Sequence, residues 1–77
     1  MELKLKDILK NRAGAVVTLW HAKENAILVK RQDLFEITTD KATFDVECPV
    51  DGVLKKIYKK AGDKVTSEDT LAEIIVK

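Results

Sequence analysis

The feature that most constrains this chain is an internal repeat: shifted by 37 residues, segment 15–40 lies over segment 52–77 without a gap. Val16 meets Val53, Val17 meets Leu54, Trp20 meets Ile57 and His21 meets Tyr58. Leu28 then meets Val65, Leu34 meets Leu71, Glu36 meets Glu73 and Ile37 meets Ile74. Self-similarity at such a period marks repeated structural units, but two copies are too few for a solenoid. They suit two interlocking halves related by an approximate two-fold axis. Asn25 falls on Gly62. Both residue types tolerate a positive φ, so the pairing keeps the turn chemistry although the residue differs.

Each half reads as strand, turn, short strand, turn, strand. In the second half these are residues 52–58, a Lys60-Ala61-Gly62-Asp63 turn, residues 64–66, a polar Ser67-Glu68-Asp69 loop and residues 70–76. The first half gives strands at 16–20, 27–29 and 34–38. Between the halves, Leu34-Phe35-Glu36-Ile37-Thr38 and Thr43-Phe44-Asp45-Val46-Glu47 flank the polar break Thr39-Asp40-Lys41-Ala42 and read as a hairpin. Cys48-Pro49-Val50-Asp51-Gly52 is a loop, because Pro and Gly punctuate strands. The pattern predicts an all-β fold, a flattened barrel or sandwich of two small antiparallel sheets. Alternation is imperfect: Leu34 and Ile37 are three apart, as are Leu71 and Ile74, which admits a bulge or a strand packed on both faces. Residues 2–12 fit a short helix, through Leu5, Ile8 and Leu9 with Gly14 as a stop. A strand over residues 2–6 followed by a loop is preferred, since the pseudo-symmetry calls for an edge partner there.

At 77 residues the chain reads as one domain, 1–77, with a thin core and little room for a deep cleft. A net charge of +1 argues against a nucleic-acid surface. No apolar run approaches the roughly 20 residues that span a bilayer. The single cysteine, Cys48, excludes an intrachain disulfide and suits a reducing compartment. The expected location is cytoplasmic, or the mitochondrial matrix if the domain is cut from an organellar protein.

The repeat, the Asp40-Lys41-Ala42 tip and the glycines together resemble the lipoyl domain of 2-oxo acid dehydrogenase complexes. The resemblance covers residues 2–77 and is firmest over 16–74. EITTDKATFDV resembles that family's attachment hairpin, CPVDGVLKKI the strand that follows it, and KKAGDKV its Gly-Asp turn. Trp20 also fits an aromatic position of the family. The family commonly carries glycines sixteen residues before and eleven after its modified lysine; from Lys41 these positions are Asn25, a departure, and Gly52, a match. Lys6-Asp7-Ile8-Leu9 and the following Lys10-Asn11-Arg12-Ala13-Gly14 depart from the family's first loop, which helps a decarboxylase recognise its carrier.

The resemblance implies a carrier domain, not an enzyme. It implies lipoic acid attached to Lys41, with Asp40 and Ala42 flanking it. Asp40 is expected to shape the turn by bonding its own backbone. Implied partners are a lipoate ligase or lipoyl transferase, a thiamine-diphosphate-dependent 2-oxo acid decarboxylase, an acyltransferase core and dihydrolipoamide dehydrogenase. The isolated domain is expected to be monomeric, without nucleic acid or membrane. Two other functions stay open: a biotin carrier, whose tip usually reads Met-Lys-Met, and an unmodified adaptor of the same fold.

The remaining chemical residues read more simply. Lys55-Lys56 and Lys59-Lys60 sit among Glu47, Asp51, Asp63 and Glu68, as a solvated sheet face would. Cys48 with His21 as base is a weak nucleophile reading beside that of a core or loop thiol. One His and one Cys argue against a metal site. Trp20 and Phe44 are core anchors, and Phe35 is a candidate for partial exposure near the tip.

Overall fold

The computed structural model describes residues 1–7 and 14–77. Among the described residues eight strands run in chain order: β1 (Glu2–Lys4), β2 (Ala15–Trp20), β3 (Ile27–Leu28), β4 (Asp33–Thr38), β5 (Thr43–Glu47), β6 (Gly52–Ile57), β7 (Lys64–Val65) and β8 (Thr70–Val76). They form two antiparallel four-stranded sheets, β1-β8-β6-β3 and β5-β4-β2-β7. Each half lends its short strand to the other half's sheet: β3 pairs β6, and β7 pairs β2. The halves are therefore interlocked, as the repeat predicts.

The two-fold relation extends to single hydrogen bonds. Asn25 N–H donates to Leu54 O at 2.6 Å, and its counterpart Gly62 N–H donates to Val17 O at 2.7 Å. His21 N–H reaches Leu34 O at 2.9 Å, and Tyr58 N–H reaches Leu71 O at 2.9 Å. Asn25 holds φ 73° and Gly62 φ 93°, so asparagine supports the left-handed turn that glycine makes in the other half. Arg31 also sits at φ 78°, a position nothing in its residue type announces.

The imperfect alternation has a definite cause. Asp33 pairs with Glu47 and Phe35 with Val46, so Leu34 is an extra residue in β4. In β8, Thr70 pairs with Lys4 and Ala72 with Leu3, so Leu71 is the equivalent extra residue. A bulge puts two successive side chains on the same side. Leu34, Phe35 and Ile37 are consequently all buried, as are Leu71, Ala72 and Ile74. This corrects the placement of Phe35. It has no exposed surface and lies against Trp20 with ring centroids 4.7 Å apart.

The core between the sheets is formed chiefly by Leu5, Val17, Leu28, Leu34, Phe35, Ile37, Leu54, Val65, Leu71 and Ile74, with Trp20 and Phe44 packed partly buried against it. The Trp20 indole N–H is satisfied by Lys59 O at 2.7 Å. β1 pairs the edge of β8 as expected but ends at Lys4 rather than residue 6. A 3₁₀ turn, Leu5–Asp7, follows. Leu5 enters the core and the Asp7 carboxylate accepts from Lys4 N–H at 3.2 Å, which halts the strand. Ile8 and Leu9 of the alternative helix, and the altered first-loop stretch Lys10-Asn11-Arg12-Ala13, lie outside the described residues.

Candidate functional site

The β4–β5 ladder closes with Thr38 opposite Thr43, which leaves residues 39–42 as a four-residue tip. Thr39 N–H donates to Ala42 O at 2.8 Å and shuts the loop. The Thr39 hydroxyl oxygen accepts from Lys41 N–H and Ala42 N–H, each at 3.2 Å. The side-chain turn contact expected of Asp40 is thus supplied, among the described residues, by Thr39. A threonine opening a short loop is a recognisable turn signal. Beneath the tip the hydroxyls of Thr18, Thr38 and Thr43 form a chain, 2.7 Å and then 2.9 Å. These bonds hold the backbone while Asp40, Lys41 and Ala42 remain exposed. Among the described residues no carboxylate lies within salt-bridge distance of the Lys41 ammonium.

The glycine positions that gave the lysine its address have separate physical reasons. Gly62 and Asn25 are left-handed turn residues. Gly52 lies in β6 where β8 crosses closely, and a Cβ there would run into the backbone carbonyl of Ile75. Only glycine permits that approach.

The other chemical residues are placed apart from the tip loop. His21 Nε2 contacts Asp45 Oδ1 at 2.9 Å. That hydrogen bond, with the charges of Asp45, Asp33 and Glu36, raises the imidazole pKa above its ordinary 6.5, and partial desolvation opposes the rise. The ladder itself gathers this negative field, since Glu36 faces Asp45 and Asp33 faces Glu47. Cys48 is buried, and its thiol donates to Val50 O at 3.0 Å. His21 is engaged with Asp45, so the two do not form a nucleophile and base; Cys48 is a core thiol. Among the described residues no group of three His, Cys, Asp or Glu is arranged to hold a metal. Among the described residues no helix is long and apolar enough to cross a membrane.

A two-fold β sandwich that offers one lysine on a braced hairpin tip has the geometry of a carrier, in which a covalent group rides on an exposed amine. Residues 6–74 match the Biotin_lipoyl family, described as "Biotin-requiring enzyme". The chain belongs to this biotin/lipoyl attachment family. The dihydrolipoyllysine-residue succinyltransferase component of the 2-oxoglutarate dehydrogenase complex of Buchnera aphidicola is 32% identical over 74 residues, covering 96% of this chain. The same component of Escherichia coli is 31% identical over 74 residues, again 96% of the chain. In both cases the chain spans 18% of the relative's length. The solution structure of the lipoyl domain of the 2-oxoglutarate dehydrogenase complex from Azotobacter vinelandii superposes with a TM-score of 0.80. It is 28% identical, and the match covers 97% of this chain and 95% of that one. The chain has the lipoyl-domain fold, and the region shared with the acyltransferase relatives is a carrier region.

Proposed function

We propose that this domain carries lipoic acid in amide linkage on Lys41 and serves a 2-oxo acid dehydrogenase complex, with 2-oxoglutarate as the favoured substrate class. The observation that carries the reading is the tip itself: one exposed lysine on a four-residue loop whose backbone is tied by Thr39. The names of the relatives and of the structural neighbour support lipoate over biotin, as does the Asp40-Lys41-Ala42 tip in place of methionines.

The residues fit the group. Lysine supplies a primary amine on a long flexible stem, and no neighbouring carboxylate among the described residues competes for it. The bound dithiolane would supply an acyl acceptor and a two-electron carrier. The protein's part is positional. The tied loop keeps the stem's root rigid, and the exposed flanks Asp40 and Ala42 leave room for an attaching ligase or transferase. The tether turns each visit to a decarboxylase, acyltransferase or dihydrolipoamide dehydrogenase site into an encounter at high local concentration. In this reading the domain is monomeric when dilute and works in a reducing compartment, where the buried Cys48 thiol stays free.

Intact mass after treatment with lipoate and a lipoate ligase tests the proposal. The expected result is one lipoyl increment on the wild type and none on Lys41→Ala. A biotin increment under biotin ligase would replace lipoate by biotin. An unmodified protein, beside a standard lipoyl domain that is modified, would leave the unmodified adaptor as the function.

A further inference from the structure

The two-fold relation builds one surface groove twice. One copy, of about 390 Å³, is lined by Val16, Thr38, Thr39, Asp40, Lys64 and Thr66 together with their neighbours. The other, of about 290 Å³, lies between Ile27, Val53 and Ile75. The registers agree, since Val16 pairs with Lys64 and Thr38 while Val53 pairs with Ile27 and Ile75. The first copy adjoins the attachment hairpin. Thr39 and Asp40 belong to its wall and directly precede Lys41, so a group carried on Lys41 starts at the edge of this groove. Its two sides differ in charge. Asp40 stands on the tip side, and Lys64 stands across Val16 on β7, where the repeat places Ile27 in the other groove. Among the described residues no carboxylate lies within salt-bridge distance of the Lys64 ammonium.

We infer that this groove receives the lipoyl arm of Lys41, and that Lys64 pairs with a carboxylate on the cargo the arm carries. The inference rests on the proposed function. A 2-oxo dicarboxylic acid that loses carbon dioxide leaves an acyl group that still bears its second carboxylate, whereas a monocarboxylic 2-oxo acid leaves none. Lys64 is then a residue of the carrier that distinguishes the two cargoes. The reach suffices. Lys64 lies two strand spacings from Thr38, about 10 Å. A lysine stem extended by a lipoyl chain has about twelve bonds to its ring and spans roughly 14 Å, at ~3.5 Å per three bonds. Val16 offers the methylenes of the arm an apolar floor, and Asp40 repels an anion on the near side, toward the ammonium on the far one. An exposed ion pair is weak. The covalent tether is what makes it count, because the carboxylate never leaves the neighbourhood of Lys64. The contact is accordingly a partial population, made and broken as the arm swings.

Solution NMR of the lipoylated domain, with a charged and a neutral cargo of the same shape, tests this. The arm is reduced and alkylated either with iodoacetate, which leaves carboxylates on it, or with iodoacetamide, which leaves the isosteric amides. Cys48 is buried, so the thiols of the arm are the reactive ones. Intact mass first reports that Lys41 is loaded; a chain that takes no lipoyl group overturns the proposed function and this inference with it. On the loaded chain, the carboxylate-bearing arm should shift the amides of Val16, Lys64 and Thr66 and the Lys64 side chain, and the amide-bearing arm should shift them several-fold less. Lys64→Gln and Lys64→Ile should each abolish that difference, and the second installs the residue that the equivalent groove already accommodates. Equal shifts with the two cargoes would overturn the inference while leaving lipoylation intact. So would shifts confined to residues 39–42, or a difference that persists in both variants.

Discussion

Gly52 shows at the scale of one residue why a single atom can matter. Its missing Cβ admits the Ile75 carbonyl. Gly52→Ala is expected to destabilise by about 3 kcal/mol or more, because rigid backbone stands in the way. Urea denaturation would register this as a lowered midpoint; an unchanged midpoint would mean that β6 and β8 can move apart. Ala15 holds the equivalent place in β2 with its Cβ accommodated, so the constraint belongs to the second half alone. Asn25 is the milder case. Asn25→Gly should change stability by less than about 1 kcal/mol, and Asn25→Ala should cost on the order of 1 kcal/mol, because at φ 73° alanine has neither glycine's freedom nor the short polar side chain that lets asparagine hold a left-handed turn. The sequence position of Asn25 announced its conformation through its repeat partner Gly62, whereas Arg31 at φ 78° had no such partner and stayed hidden. His21 titrates as a sensor of its own hairpin. Its folded-state pKa lies above the ordinary 6.5, so the Asp45 pair adds stability below that value and loses it as pH rises through the raised one. An NMR titration of the His21 ring should show the raised value in the wild type and a fall toward 6.5 in Asp45→Asn. A value unmoved by that substitution would assign the shift to other carboxylates.

Among the elements, the β4–β5 hairpin presents the lysine that the proposed function uses, and its tip is braced by Thr39 rather than by the lysine's immediate neighbour Asp40. Thr39→Val keeps the shape and removes the acceptor for the Lys41 and Ala42 amides. The expected loss is about 0.5–1.5 kcal/mol, with faster hydrogen exchange at those two amides and slower modification of Lys41. Unchanged exchange would show that the Thr39 N–H to Ala42 O bond alone holds the loop. The ends and turns of this hairpin were readable because Thr39-Asp40-Lys41-Ala42 interrupts two β-rich runs. The inner face was not. One inserted residue, Leu34, shifts the alternation by a position, and period-two reasoning then sends Phe35 toward solvent although it is buried. The matching insertion at Leu71 was visible as a matching spacing to Ile74, which hinted at a bulge without fixing it. At the first strand, the need for an edge partner to β8 located β1, but the turn made by Leu5 and Asp7 rests on tertiary burial that no local pattern encodes.

Over the whole molecule, the repeat becomes two sheets that each borrow a short strand from the other half. Neither half can complete its sheet alone, and a fragment of about 40 residues has too little core to compensate. Separate peptides covering residues 1–42 and 43–77 should each be unfolded by circular dichroism; a folded half would contradict the interlocking. The same symmetry gives the lysine its singular address. The tip lies at the handover between the halves, and it presents Lys41 among the twelve lysines of the sequence. Peptide-level mass mapping after lipoate ligase treatment tests that claim most directly. The account predicts a lipoyl group on Lys41 and on none of the other eleven lysines. Modification spread over several lysines, or located on one outside the tip, would contradict it.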